Sequence, residues 1–163
     1  MHVKQLIREN LELADTTTVM LLEGLSDQEM LVRAVPGANH VNWMLGHLVA
    51  SENLMVGWVK PGVLPPLPAG FAEKYDAKNS QSEDQKGWVG KDELLRLMRE
   101  QRAGTLKALD SLTDAELVAR GPEAMQPIIK TNAAIFELVA AHWQNHTGQF
   151  SVLRRKLGKP HAF

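Results

Sequence analysis

The stretch TNAAIFELVAAHWQNHTGQFSVLRRKL, residues 131–157, has the apolar spacing of one long amphipathic α-helix. Its apolar residues recur every three or four positions, so they share one face of the helix. Thr131 is a good N-cap residue, Gly158 suits the left-handed position after the last turn, and Pro160 prevents continuation. The pattern therefore predicts a helix that follows Thr131 and ends at Leu157.

Three further segments show the same helical periodicity, and no segment shows the sustained alternation of a strand. With the helix ending at Leu157, they give four predicted long helices, the first three being Val3–Glu23, Asn39–Val59 and Asp92–Leu109. Such a set predicts an all-α four-helix bundle, in which sites are usually built from side chains of facing helices. A chain of 163 residues has the length of one ordinary domain, so we expect a single domain over residues 1–163.

Shorter features separate the long helices. Ser26 with Glu29, and Thr113 with Glu116, form capping boxes that each predict a brief helical turn. Residues 61–90, between the second and third long helices, are rich in proline and polar residues and predict a long loop. Loops of this length are commonly functional covers or disordered linkers. A partly ordered cover is favoured by three aromatic anchors in the loop: Phe71, Tyr75 and Trp88.

The composition excludes several classes of protein. Eighteen basic and 19 acidic residues give a net charge of −1, and no run of lysine and arginine is long enough to contact a phosphate backbone. We therefore expect no nucleic-acid partner. No apolar run is long enough to cross a bilayer, and residues 1–10 lack a signal-peptide core, so we expect no membrane partner and a cytoplasmic location. The chain has no cysteine, which excludes a cysteine nucleophile and a zinc–cysteine site.

Two histidines occupy core positions of the last helix, where the apolar pattern calls for aliphatic residues. His142 and His146 are four residues apart, so their side chains lie over the same part of the helix surface and can reach one ion. Two core histidines that bond to neighbouring carbonyls or carboxylates are the alternative. That alternative weakens for a pair, because the second buried imidazole also needs a partner.

His47 is the third candidate ligand. It lies at the edge of the apolar stripe of the second long helix, three residues after Met44. A bundle core has room for a ligand from a facing helix, and three nitrogen ligands with an open position are typical of catalytic sites rather than structural ones. The sequence thus predicts a divalent metal site at His47, His142 and His146.

The other histidines have weaker claims to such a site. His40, two turns before His47, could be a fourth ligand only if the helix aimed both rings inward. His2 and His161 are near the ends of the chain and are expected in solvent.

Several polar residues near the predicted core stripes need an interpretation. Ser51, Thr17 and Thr105 are candidate hydrogen-bond partners of ligating imidazoles, and Gln149 could point into the cleft. Glu52 and Glu137 are each rotated about 140° from the nearest candidate histidine, so we expect them at the surface or between helices rather than as bases. The tryptophans need no role beyond packing, and Trp143, about 100° from His142, would meet another helix or a second subunit.

Three motifs resemble the DinB/YfiT-like metalloenzyme superfamily: Gly46-His47-Leu48, the run HWQNHTGQ at 142–149, and LRRKLG at 153–158. The resemblance covers essentially the whole chain in helix order. It implies a four-helix bundle, often a homodimer, with a divalent metal such as zinc or nickel on His47, His142 and His146. Relatives include transferases that use a low-molecular-weight bacterial thiol and a maleylpyruvate isomerase of the same kind. The resemblance implies a site more strongly than a reaction.

Three hypotheses for function follow. Three neutral imidazoles leave the ion its full charge, which favours an anionic ligand such as a thiolate. The first hypothesis is therefore a metal-dependent enzyme that acts on a small molecule, as an S-transferase that uses an external low-molecular-weight thiol. A metal-dependent hydrolase is the second, although no carboxylate is well placed by spacing to act as a general base. The third is a non-catalytic metal-binding or scaffold dimer.

Overall fold

The computed structural model describes residues 3–84 and 86–162, and its architecture is helical. The α-helices in chain order are α1 Val3–Leu22, α2 Asp27–Met30, α3 Val41–Val59, α4 Phe71–Lys74, α5 Lys91–Ser111, α6 Asp114–Val118 and α7 Asn132–Lys156. Within the described ranges, β pairing is limited to an isolated bridge between Arg120 and Thr131. No helix in this part of the chain combines the length and apolarity needed to cross a membrane. The prediction of an all-α four-helix bundle is confirmed.

The four long helices form a closed ring around one apolar core. Helix α1 packs against α7 and α5, and α3 packs against the same two helices. Each contributes side chains with no exposed surface, such as Leu11 of α1, Leu48 of α3, Leu109 of α5 and Val139 of α7. Burial of this apolar surface is the main favourable term in folding. The ring makes α3 and α7 neighbours, and these are the two helices that carry the candidate ligands.

Most helix ends follow the sequence-based expectations, and one differs. Thr131 caps α7 by accepting from the Ala134 N–H, and Gly158 has a φ of +66° just past the helix. The second long helix, however, is capped by His40 rather than by Asn39. The His40 Nδ1 accepts from the Trp43 N–H at 3.0 Å. An imidazole can cap in this way because burial, with a contribution from Arg33, lowers the pKa of His40 to about 4 and keeps the ring neutral.

The long loop after α3 is ordered by its aromatic anchors, as expected of a partly ordered cover. Phe71 and Tyr75 are buried, and helix α4 begins at Phe71 and ends just before Tyr75. The Tyr75 hydroxyl donates to Asn42 Oδ1 at 3.2 Å and accepts from the Val89 N–H at 3.3 Å. The Asn42 amide donates in turn to the Val89 carbonyl at 2.7 Å. These bonds fasten the middle and the end of the loop to the start of α3.

Candidate metal centre

The three predicted ligands converge between α3 and α7. One ring nitrogen each from His47, His142 and His146 lie within 4.8 Å of one another. The ring centroid of His47 is 5.1 Å from that of His142 and 5.7 Å from that of His146. The two α7 rings are 4.9 Å apart. Nitrogen atoms this close together can converge on one ion, and zinc takes imidazole ligands at roughly 2.0–2.1 Å.

The three imidazoles are neutral near pH 7, which is the form that binds a metal. Burial, reinforced by the neighbouring imidazoles, lowers the pKa of His142 and of His146 to about 4. Burial also lowers the pKa of His47, although the Tyr75 carbonyl and Asp76 oppose this shift. A set of neutral nitrogen donors at half-buried positions fits a divalent ion such as zinc or nickel. Among the residues that the structure describes, this is the one group of His, Asp and Glu side chains spaced for an ion.

The orientation of His47 is set by the loop and by a neighbouring tryptophan. Its Nδ1 lies 3.3 Å from the Tyr75 carbonyl oxygen. A carbonyl only accepts, so Nδ1 carries the proton and Nε2 keeps its lone pair, as ligating histidines usually require. The Trp43 ring stacks on His47 with centroids 4.7 Å apart and planes inclined by 11°. Trp43 therefore does more than fill space, because it holds the face of a candidate ligand.

Gly46 allows the loop to approach His47 so closely. A Cβ atom at this position would lie 2.2 Å from carbon atoms of the Tyr75 ring, far inside van der Waals contact. The ring of Tyr75 thus occupies the space of a missing side chain, and this contact brings its carbonyl to His47. The Gly-His pair in the sequence has a structural reason that spacing alone did not reveal.

Replacing Gly46 with alanine is expected to push Tyr75 off α3 and to weaken both the fold and the site. Overpacking of this kind costs about 1–3 kcal/mol in free energy of unfolding. Urea denaturation followed by circular dichroism measures the loss, and metal titration measures the effect on the site. Gly57→Ala is the matched control, since Gly57 lies in the same helix with nothing within 4 Å of its would-be Cβ. The control should be neutral or slightly stabilising, and an equal loss in both variants would contradict this account of Gly46.

The expected partners of the imidazoles differ from those observed. Ser51 Oγ is 3.5 Å from His47 Nε2, the nitrogen available to an ion, whereas the Tyr75 carbonyl and not Ser51 faces the other ring nitrogen. The Gln149 amide nitrogen is 3.5 Å from His146 Nδ1. Thr17 instead donates to the Leu13 carbonyl of its own helix at 2.9 Å. His40 does not join the three ligands, because its Nδ1 caps α3.

Two further sequence candidates, Glu137 and His161, do not belong to the triad. The Glu137 carboxylate accepts from the Asn10 amide of α1 at 3.1 Å, so it links two helices as expected. His161 is exposed. His2 lies outside the described residues.

A buried polar cluster lies between the helices and went unrecognised in the sequence. The Glu52 carboxylate has no exposed surface and accepts from Arg102 at 2.9 and 3.0 Å. It also accepts from Thr105 Oγ1 at 2.6 Å and from Trp143 Nε1 at 2.7 Å. Glu52 therefore lies between helices rather than at the surface. Thr105 donates its hydrogen bond to Glu52 rather than pairing with a ligating imidazole. Trp143, one residue after His142, is fully buried and meets α3 through this bond.

The comparisons with known proteins agree with this architecture. The family description "DinB superfamily" matches residues 10–150, which is most of the chain. The chain belongs to the DinB superfamily. A comparison with curated proteins gives no significant match.

Two solved structures share the fold of this DinB superfamily chain. A conserved protein from Enterococcus faecalis has 19% sequence identity and a TM-score of 0.74, with 98% of this chain and 99% of that chain covered. YfiT from Bacillus subtilis has 19% identity and a TM-score of 0.66, covering 96% and 89%. YfiT is described as a probable metal-dependent hydrolase with an unusual four-helix bundle topology. At this identity, the likeness establishes the fold.

Proposed function

We propose that this DinB superfamily chain is a divalent-metal-dependent enzyme that holds its ion with His47, His142 and His146. The observation that carries the proposal is the convergence of three neutral imidazoles from two adjacent helices, with ring nitrogens within 4.8 Å. Burial lowers the pKa of each of the three imidazoles from the ordinary value of histidine, so the ligands need no deprotonation near pH 7. Three nitrogen ligands leave room for a further ligand, as in catalytic rather than structural sites.

The residues around the triad hold the imidazoles and leave the chemistry to the ion. The Tyr75 carbonyl fixes the tautomer of His47, and the Trp43 ring fixes its plane. A bound divalent ion would lower the pKa of a water or thiol ligand and so supply a nucleophile at neutral pH. Glu52 cannot serve as the base that receives the proton, because four hydrogen bonds hold its carboxylate inside the bundle.

Hydrolysis is one candidate reaction, with water as the nucleophile. YfiT, which shares the fold, is described as a probable metal-dependent hydrolase, and the same reaction is compatible with the ligand set here. In the cluster itself, no carboxylate accompanies the three imidazoles to act as a general base. A hydrolase at this site would thus depend on the ion for activation of the water.

Transfer of an external thiol to an electrophile is the second candidate reaction. A thiol ligand would lose its proton to solvent, and the thiolate would form a carbon–sulfur bond while the leaving group departs with its electron pair. This reaction needs no general base, which suits a triad without a carboxylate. The chain has no cysteine, so the thiol must come from another molecule.

The test begins with the metal content of protein purified without an affinity tag, followed by loading with Co²⁺. Each loaded sample is then given a p-nitrophenyl ester, or a small thiol with 1-chloro-2,4-dinitrobenzene. A sulfur-to-cobalt charge-transfer band on thiol addition would favour thiol transfer, and ester cleavage that requires the metal would favour hydrolysis. His142→Ala protein is the control for both assays.

The proposal predicts one divalent ion per chain and metal-dependent turnover in at least one assay. Failure to take up a stoichiometric ion would overturn it. Stoichiometric ion binding that raises the melting temperature, with neither turnover nor thiol binding, would favour a non-catalytic metal-binding protein instead.

A further inference from the structure

An apolar pocket lies beside the triad, between the start of α3, the end of α7 and the segment 32–39. We call it the α3–α7 pocket, and its volume is about 240 Å³. Its floor consists of Val41, Met44 and Leu153, which are almost fully buried in the protein. Its rim consists of Val35, Val152 and Gln149. Apart from the Asn39 and Gln149 amides, the lining residues are aliphatic or Met44.

The pocket is one helical turn from the candidate metal centre on both of its helices. Met44 precedes His47 by three residues, and Gln149 follows His146 by three, so each lies on the same side of its helix as the histidine. The Gln149 amide nitrogen is 3.5 Å from His146 Nδ1. Gln149 thus borders the pocket and also contacts a candidate ligand, so it links the two sites.

The wall formed by residues 32–39 is held in place by hydrogen bonds rather than by packing alone. Arg33 donates to the Ala38 carbonyl at 2.7 Å and to two loop carbonyls, those of Ser80 and Ser82. Lys156, at the end of α7, donates to the Arg33 carbonyl at 2.7 Å. The pocket is therefore largely preformed, which is usual for small-molecule sites.

Two apolar rim residues are unusually exposed for their type. Val35 is 53% and Val152 46% exposed, although both border a pocket whose floor is buried and apolar. Ligand sites typically combine such an apolar lining with a few polar groups that set orientation. Here the polar groups of the lining are the Asn39 and Gln149 amides, and the His146 imidazole lies next to Gln149.

We propose that the α3–α7 pocket binds the apolar part of the substrate, a compact alkyl group or a single aromatic ring, while the polar reacting end lies at the triad. This inference rests on the proposed function and names the substrate class for that site. An apolar cavity of roughly 150 Å³ is enough to bind benzene, so a pocket of about 240 Å³ accommodates one ring or a short alkyl chain.

A homologous series of zinc-binding hydroxamates tests the proposal on the zinc-loaded protein. Acetohydroxamate measures the metal-binding end alone, and butano-, hexano- and benzohydroxamate add apolar groups. We expect the dissociation constant to fall by about fourfold for each added methylene until the pocket is full, since each buried methylene contributes about 0.8 kcal/mol. Calorimetry gives these constants without any assay of turnover.

Substitutions on the rim distinguish binding of the apolar chain in this pocket from nonspecific apolar contact elsewhere on the protein. Val35→Glu should abolish the gain from longer chains while leaving zinc affinity and acetohydroxamate affinity unchanged. Val152→Glu should act in the same way from the other wall. Ile128→Glu is the matched control, because Ile128 is 73% exposed and lies outside the pocket lining.

The outcomes distinguish this inference from the proposed function. If the protein binds no zinc, the proposed function fails, and benzene can still be titrated into the metal-free protein while the Met44 methyl resonance is followed by NMR. A shift of that resonance, absent in Val35→Glu, supports the pocket. If zinc and acetohydroxamate bind but longer chains add nothing, the inference is overturned. It is also overturned if Val35→Glu converts a dimer to a monomer without changing the chain-length dependence, because a second copy would then cover the rim.

Discussion

His142→Ala is expected to lose tight binding of zinc while the helical bundle remains folded. The variant removes one of three nitrogen donors and leaves two imidazoles on different helices. Loss of a hydrogen-bond partner of a metal ligand already costs about 10- to 100-fold in affinity, so loss of a ligand should exceed about 100-fold. Competition with a fluorescent zinc chelator measures this change directly.

A matched control variant and a second measurement, the melting temperature with and without zinc, make this result specific. His161→Ala removes an exposed histidine outside the triad and should bind zinc as the unaltered protein does. Zinc should raise the melting temperature of the unaltered protein and of His161→Ala, because an ion that binds only the folded state stabilises it. It should not raise that of His142→Ala. If His142→Ala retained full affinity, the ion would be held elsewhere and the triad would not be the site.

Much of the fold was accessible from the sequence because it depends on periodicity. The apolar positions of α7 recur at helical spacing over its whole length, so its ends were predicted closely. Its buried face includes Trp143 and Thr147, which the predicted stripe left out, and the two histidines of that stripe are only half-buried. The pair His142 and His146 was predicted for the same reason, since a spacing of four on one helix fixes their relative positions. The structure brings His47 to them because α3 and α7 are neighbours in the bundle.

Other features of the site depend on contacts between segments that are distant in the sequence. Tyr75 is 28 residues from His47, and only the folded loop places its carbonyl on that ring. The same holds for the close approach of Tyr75 to Gly46. The start of α3 at Val41 was missed by a small margin, because His40 is an unusual cap and Asn39 a common one. Asn39 instead accepts from the Gln81 amide of the loop at 2.7 Å.

The Glu52 cluster did leave a signal in the sequence. Leu45, Leu48, Glu52 and Met55 follow helical spacing on α3, so an acidic residue stands where the stripe requires an apolar one. On α5, Arg102 likewise lies on the buried face, at helical spacing from Leu94, Met98 and Leu109. Two opposite charges on the buried faces of different helices predict an internal ion pair. The spacing of Glu52 from His47 on α3 does not by itself identify Arg102 of α5 as its partner.

Glu52→Ala is expected to lower the free energy of unfolding by about 3–5 kcal/mol, which is more than the loss expected for Gly46→Ala. Arg102 would keep its charge inside the bundle with only Asp15 as a counterion, and its side chain is 4% exposed. The Trp143 N–H and the Thr105 hydroxyl would also lose their acceptor. Since small proteins are stable by only about 5–15 kcal/mol, the variant should be close to unfolding. Urea denaturation monitored by circular dichroism gives the difference.

Glu52→Gln separates the charge from the shape of this side chain. The amide keeps an oxygen that can accept from Trp143 but no longer neutralises Arg102. We therefore expect an intermediate loss of stability, smaller than that of the alanine variant. A loss equal to that of Glu52→Ala would mean that the charge, rather than the hydrogen bonds, carries the whole effect.

Asp15→Asn is the matched control, because Asp15 also contacts Arg102 but the cost of burying its charge outweighs that attraction. Burial raises the pKa of Asp15 to about 6 despite the opposing attraction of Arg102. A carboxyl whose pKa is raised on folding stabilises the protein below its unfolded value of 3.8, and this contribution is lost as the pH rises through about 6. At pH 7 the asparagine variant should thus be as stable as the unaltered protein or more so, and its stability should vary less between pH 4 and 7. If Asp15→Asn proved as damaging as Glu52→Ala, the ion pair of Arg102 would be shared equally between the two carboxylates, and the assignment of Glu52 as its main partner would be wrong.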